Sequence, residues 1–438
     1  MKELVNKLKG DRVIWSFVAL LALFSFMPVF SASSNLAYIG HGNGNTLGYL
    51  LKHLGHIGCG FWIIYLIHKV PYQYYRSISK WLLPIVWVVL AITMIKGTVI
   101  GGANASRWLQ IPFVGISFQP SAFAALVLFV FVARYLSKTR ENPIDFLESL
   151  KELWMPVFIT LIFILPSNFS TTALIFSMIL MLVFIGKYPM KYIAIIVGAG
   201  VLFLTLFVLM SKVFPDSKLF NRVRTWESRI ENFSTNNPNE DDYQIEKAKI
   251  AIASGNFYGL GPGKSVQKNF LPQSSSDFIY AIIVEEYGLI GGLVVLLLYM
   301  LLLFRFVIAS HKANTLFGKL VVIGLGFPMI FQAIINMSVA VELMPVTGQT
   351  LPLISSGGTS IWMTCIALGI IINVTKKEEE IAQELSEKAR REAALQNLID
   401  KQLEEENQTI AEDKTAIAEE NYSIEDNSNN PMNAVLNK

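Results

Sequence analysis

The sequence predicts an all-α polytopic membrane protein with ten transmembrane helices, both termini cytoplasmic, and one large extracytoplasmic loop between helices seven and eight. Three observations predict it. Hydrophobic residues make up 53% of the 438-residue chain and mean hydropathy is +0.47, too apolar for a soluble globular domain. Apolar runs approaching the roughly 20 residues needed to cross the hydrocarbon core recur ten times along the chain. Lysine and arginine gather in alternate loops, and the positive-inside rule assigns those loops and both ends to the cytoplasm.

A basic N-terminus over residues 1–13 (Lys2, Lys7, Lys9, Arg12) precedes the first span, near 14–31. This span reads as an uncleaved helix, because no convincing small-residue cleavage site follows and further spans do. The second and third, near 49–69 and 82–99, flank a loop with Lys69, Arg76 and Lys80. The fourth, near 119–136, leads into a second basic loop with Arg134, Lys138, Arg140 and Lys151. Spans five and six, near 153–166 and 170–186, are short and parted only by the turn at PSNFS. Lys187 and Lys191 mark the turn into span seven, 190–213. Span eight, near 277–308, is long enough to tilt, and Arg305, Lys312 and Lys319 lie at its inner end before span nine, 316–340. Span ten, 357–375, ends at Lys376 and Lys377. The membrane domain is thus 14–375.

The 214–276 loop keeps Lys218, Arg222, Arg224, Arg229, Lys247, Lys249, Lys264 and Lys268 although parity places it outside. Long loops are largely exempt from the charge rule, and cations held on the outer face suit an anionic substrate. From Lys376 to Lys438 the chain becomes a charged cytoplasmic tail, helical at first and too polar to fold alone beyond about residue 407. It reads as a solvated appendage or a docking segment. Cys59 and Cys365 lie in spans and support neither a disulfide framework nor a CxxC metal site. The five histidines show no ligand spacing and read as interfacial or loop residues.

Asp277 is the candidate catalytic residue. It stands at the last polar position before a long apolar helix, where the helix dipole favours an anion and fixes its direction. A plain helix cap fits the spacing equally well. Upstream, GLGPGKSVQKNFLPQ brings Gly259, Gly261 and Gly263 close to Lys264, Ser265, Gln267 and Lys268, a mix of exposed N–H groups and cations suited to a pyrophosphate. It is not a Walker A loop, since the spacing would need glycine where Tyr258 stands. The alternative is a re-entrant loop whose glycines only permit sharp turns. Arg107, beside Trp108, can grip a lipid phosphate bidentately or simply snorkel to headgroups. The irregular stretch MPVTGQTLPLISSGGTS belongs beside a cavity, because such backbone is tolerated at this depth only against protein or water. Glu285 lies about 80° around the helix from Asp277 and is a possible cavity acid; a salt bridge or a hydrogen-bonded core acid fits it as well.

These motifs occur in a set order: ASRW then FQPS at 105–121, Tyr243-Gln244 before IAIASGNFYGLGPGKSVQK, LP then DFIYAIIVEEYG, and TLPLIS then GG. Over residues 14–375 they resemble the SEDS family (shape, elongation, division, sporulation). The resemblance implies a peptidoglycan glycosyltransferase that polymerises the disaccharide-pentapeptide of undecaprenyl-pyrophosphate-linked lipid II in the bacterial cytoplasmic membrane. It implies a class B penicillin-binding protein transpeptidase, other division proteins and membrane lipids as partners, and no nucleic acid. GLGPGKSVQK looks more like the division branch than the elongation branch, which implies work at the septum. The residue matching Asp277 is regarded as essential in the family, and Gln244 and Ser355, standing in the shared motifs, join the substrate-binding candidates. No cofactor is evident, although a divalent cation suits a pyrophosphate substrate. A lipid II flippase and a non-enzymatic division scaffold are the rival readings.

The chain also departs from the pattern. Ala122 and Ala125 stand where the family usually has an acid and a base, Asn168 where it has aspartate, Thr347 where it has lysine and Ser356 where it has tyrosine. Losing both members of the acid–base pair together leaves no uncompensated charge in the membrane.

Overall fold

A computed structural model describes residues 10–39, 46–97, 108–110, 117–140, 144–214, 223, 226–227, 240–271, 273–375, 386 and 390–402. It divides into Met1–Glu378 and Glu379–Lys438. In the second unit a helix covers 390–402, with Leu395, Leu398 and Ile399 exposed, as a charged solvated helix requires.

The described residues of the first unit are all-α apart from one pair of two-residue strands. Its helices are α1 (Arg12–Ile39), α2 (Thr46–Ile67), α3 (Gln73–Lys96), α4 (Pro120–Thr139), α5 (Phe146–Ser149, continuing through a π-turn at Leu150–Trp154 into Met155–Ile164), α6 (Phe169–Ile185), α7 (Met190–Val213), α8 (Glu240–Gly255), α9 (Ile279–Lys312), α10 (Leu316–Ala340) and α11 (Thr359–Thr375). Two strands, β1 (Leu109–Gln110) and β2 (Ser117–Phe118), pair antiparallel just before α4. Among the described residues seven helices, α1 to α4, α7, α9 and α10, are long and apolar enough to cross a membrane, and α6 and α11 are shorter apolar helices. The chain is therefore an integral membrane protein.

Local chemistry sets several helix starts. Asp11 Oδ1 accepts from the N–H groups of Val13 (2.9 Å) and Ile14 (3.4 Å), Asn168 Oδ1 from Thr171 N (3.2 Å), and Thr315 Oγ1 from Gly318 N (3.0 Å). Asn168 thus acts as an N-cap. α3 begins nine residues before the apolar run that announces it, because its polar first turns carry buried groups such as Ser79 on one face. α9 packs on α10, α1 and α8, and α10 also on α4 and α6. α4 and α10 are the inner helices, most of their residues being buried, whereas in α7 only Ile196 is buried, leaving it as an edge. His53 is buried within α2 and His68 in the turn that follows it, both at 2% exposure, so the interfacial or loop reading fails for His53 and keeps only its loop half for His68; Ser25 Oγ lies 2.9 Å from His53 Nε2, a partner the linear spacing does not reveal.

Candidate functional site

The site is organised by a break in α9. The sequence predicts one continuous tilted span, but Gly288 has φ +70° and ψ −175°, which interrupts the helix. A break inside a membrane helix frees backbone groups that must find partners. The α8–α9 loop supplies them on both sides. Leu260 N donates to Glu285 O (2.9 Å) and Gly261 N to Glu286 O (3.0 Å), while Leu289 N donates to Asn256 O (2.8 Å) and Ile290 N to Phe257 O (3.4 Å). Glycine is required for this approach: a Cβ at Gly259 would lie 2.2 Å from Glu286 O, and one at Gly288 2.2 Å from Phe257 O.

The same loop closes around two carboxylates. Glu285 is fully buried and accepts from the Ser265 hydroxyl, Val266 N (2.9 Å) and Gln267 N (3.2 Å). Glu286, 1% exposed, accepts from the Ser31 hydroxyl on α1 and from Ser265 N (3.3 Å). Lys268 turns inward, its Nζ donating to Ser31 Oγ (3.2 Å) and Gly263 O (2.9 Å). Of the N–H groups read as a pyrophosphate cradle, those of Gly261, Ser265, Val266 and Gln267 are spent on Glu285 and Glu286, those of Gly259, Lys264 and Lys268 on Gly255 O, Gly261 O and Ser265 Oγ, and Ser265, 4% exposed, is a strut of this knot. Glu285 faces the loop rather than an open cavity. Lys264 remains exposed, and Gln244 is half-buried on α8.

Asp277 lies elsewhere. It is half-buried at the end of a turn over 273–278, and the N-cap of α9 is Phe278, so Asp277 stands one residue outside the cap position. Two elements clamp this turn. Asn336 Nδ2 on α10 donates to Asp277 O and to Gln349 O, both at 2.7 Å. Ser355 Oγ, 1% exposed, donates to Ser276 O (2.6 Å) and accepts from Leu351 N (2.7 Å), and Ser356 N donates to Ser275 O (2.8 Å). Ser355 therefore shapes the turn from beneath. The result is a carboxylate-bearing peptide fixed by its backbone.

Through Asn336 this turn shares a support with a cavity of about 130 Å³ between α4, α6, α10 and α11. Gln119, Ser121, Thr171, Gln332, Gln349 and Thr350 give it polar walls, and Ala122 and Ala125 face it where the family pattern has charge. The irregular 344–358 stretch does line a cavity, at Gly348, Gln349 and Thr350.

Sequence reasoning missed Asn336, Ser31 and Gln349: Ser31 stands beside Ser33 and Ser34 near the end of α1, and Gln349 is one of several polar residues in a loop. The amide of Asn336, near the end of the apolar α10, was the available signal. Arg107 lies outside the described residues.

The family model described as "Cell cycle protein", covering FtsW, RodA and SpoVE, matches residues 11–380. The chain belongs to this family, the SEDS proteins. A SEDS relative in Hydrogenovibrio crunogenus, named "Probable peptidoglycan glycosyltransferase FtsW", is 30% identical over 85% of this chain and 93% of its own length. Stage V sporulation protein E of Bacillus subtilis is 29% identical over 85% and 98%. The fold is that of Thermus thermophilus RodA, with TM-score 0.60 at 22% identity over 85% of this chain and 99% of that one. It is also that of a chain in a peptidoglycan synthase complex described as coordinating polymerization and crosslinking, with TM-score 0.64 at 22% identity over 84% and 98%.

Proposed function

We propose that this SEDS protein is a peptidoglycan glycosyltransferase that polymerises lipid II on the outer face of the cytoplasmic membrane, with Asp277 as general base. The carrying observation is the turn over 273–278: a half-buried carboxylate on a peptide clamped by Asn336 and Ser355, with Asn336 also holding the carbonyl of Gln349 at the cavity wall. Relatives named as peptidoglycan glycosyltransferases support the reaction class. In the proposed topology α1–α7 and α9–α11 give ten spans, both termini are cytoplasmic, and the α7–α9 connection lies outside.

The chemistry requires a base and a leaving group. Asp277 takes the proton of the acceptor N-acetylglucosamine 4-hydroxyl as that oxygen bonds to the donor's anomeric carbon. The bond from that carbon to pyrophosphate breaks, and undecaprenyl pyrophosphate departs. General-base assistance of this kind contributes about 10² to 10⁴-fold. Lys264, exposed on the loop, and Arg107 are the cations proposed for the pyrophosphate, as stabilisation of the departing charge requires. A class B penicillin-binding protein would crosslink the product, and the septum is the proposed place of work.

The experiment is gel analysis of glycan products from purified lipid II, with the partner transpeptidase present. Asp277→Asn should insert normally and make no strands. Full polymerisation by that variant would remove Asp277 from the mechanism, and headgroup-labelled lipid II crossing vesicles without polymerisation would favour a flippase.

A further inference from the structure

We propose that the tip of the α8–α9 loop, Phe257 and Tyr258, is an interfacial anchor seated in the bilayer at the headgroup boundary, and that its partner is the lipid surface itself. Span counting alone leaves the whole 214–276 stretch in water. The anchor rests neither on the polymerase reading nor on the sidedness of the chain.

Two polar planes set the depth. At one end of the bundle Arg305 Nε donates to Asp11 Oδ2 (2.6 Å) and Asp11 N to Thr375 Oγ1 (3.1 Å), tying α1, α9 and α11. At the other, Glu286, Ser31 and Lys268 join α9, α1 and the α8–α9 loop. At ~1.5 Å per residue, the run of α9 from Arg305 to Gly288 covers about 26 Å and that of α1 from Asp11 to Ser31 about 30 Å. Both match the roughly 30 Å hydrocarbon core, so the second plane lies at a membrane boundary. The loop tip is at that height, because Leu289 N and Ile290 N, just past the break, donate to Asn256 O and Phe257 O (2.8 and 3.4 Å).

Exposure and composition agree. Phe257 is 66% and Tyr258 85% exposed, and they stand at the rim of the apolar stripe Ile290, Leu293, Leu297, Leu301 and Phe304 that α9 leaves to lipid. The membrane-facing side thus continues across the break onto the loop. Asn256 (φ +46°) and Gly259 (φ +80°) bend the chain on either side of the two rings, and these residue types tolerate left-handed backbone best. No charged residue occurs from 250 to 263, whereas Lys247 and Lys249 precede the run and Lys264 and Lys268 follow it. Aromatic rings beside an uncharged turn, with ammonium groups flanking it, suit the boundary between acyl chains and headgroups. A protein occupant is the poorer fit, since the patch extends a lipid-facing side and ends at its edge. The anchor also fixes the height of Lys264, whose side chain lies over Gly261: a Cβ there would stand 3.4 Å from Lys264 Cδ.

Spin-label accessibility on the full chain in phosphatidylcholine nanodiscs tests this. Cys59→Ala removes the exposed thiol, and Cys365 is buried. Nitroxides are then placed at Tyr258→Cys, at Leu297→Cys as a bilayer reference and at Glu246→Cys, exposed on α8, as a water reference. Oxygen concentrates among acyl chains and a soluble nickel chelate in water. The oxygen-to-nickel collision ratio at 258 should exceed that at 246 severalfold and lie below that at 297. With the chelate carried on a lipid headgroup, relaxation should be strongest at 258. A ratio at 258 equal to that at 246 would overturn the anchor, and shielding from both reagents would do so in favour of a protein occupant. If Tyr258→Cys fails to insert, Phe257→Cys makes the same test with the tyrosine in place. No activity is read, so failure of the polymerase reading and failure of the anchor are told apart.

Discussion

The bundle contains two polar regions of opposite construction. Around Glu285 and Glu286 it buries charge and closes on it, spending two hydroxyls, three backbone N–H groups and Lys268. Between α4, α6, α10 and α11 it leaves space open and keeps the walls neutral. The difference follows from the cost of polar groups in a membrane interior: buried carboxyl groups are tolerated where hydroxyls and N–H groups close on them, and an unfilled space is tolerated when nothing charged lines it. Asp277 belongs to neither region. It is half-buried, and its peptide carbonyl is held by Asn336 on α10.

The sharpest test of this contrast pairs two carboxylates eight residues apart. Asp277→Asn should lower the rate of lipid II polymerisation by about 10² to 10⁴-fold while the thermal unfolding of the purified protein stays in place. Glu285→Ala should do the reverse at first sight, costing about 3 to 5 kcal/mol of stability by stranding the Ser265 hydroxyl and the N–H groups of Val266 and Gln267. A melting curve unchanged by Glu285→Ala would mean the knot is not the structural element described.

How much of this was legible in the sequence follows the same line. Composition and apolar run length revealed the membrane class, because the bilayer imposes both directly. Motif order revealed the family. Gly288 gave no warning of the α9 break, since a glycine in an apolar run reads as ordinary span until the Asn256–Gly261 loop is seen docked on it. The cations and glycines of 259–268 read as a phosphate cradle because linear spacing places donors together without revealing which acceptor claims them. Five of the acceptors proved to be carbonyls and carboxylates of Glu285 and Glu286, for the N–H groups of Leu260, Gly261, Ser265, Val266 and Gln267. Asn336 was invisible for a related reason: its two partners, Asp277 and Gln349, lie 59 and 13 residues away.

The break itself can be tested next. Gly288→Ala forces a side chain into φ +70° and against Phe257 O, which should cost at least about 1 to 3 kcal/mol and loosen the α8–α9 loop; protease nicking near residue 260 would report it. Asn336→Leu removes the clamp from the Asp277 turn while keeping an apolar fit in α10. Its expected signature is a roughly tenfold fall in polymerisation rate, the worth of one strong hydrogen bond, with the acidic group still present. Wild-type activity in that variant would mean the turn holds its shape without α10.

The smallest effects come from dividing the two loop lysines, which the sequence treats alike. Lys268 is tied to Ser31 and the Gly263 carbonyl, so Lys268→Ala should lower stability by about 1 to 3 kcal/mol and disturb activity only through the fold. Lys264 is exposed, and Lys264→Ala should move stability by no more than about 0.5 kcal/mol. If Lys264 meets the pyrophosphate, its loss should weaken titrated binding of a lipid pyrophosphate, and that defect should shrink as salt rises and screens the attraction that Lys264 supplies in the wild type. Equal binding defects in both variants at matched stability would return Lys268 to the substrate site and leave Glu286 without its nearby cation, undoing the division between closed charge and open space.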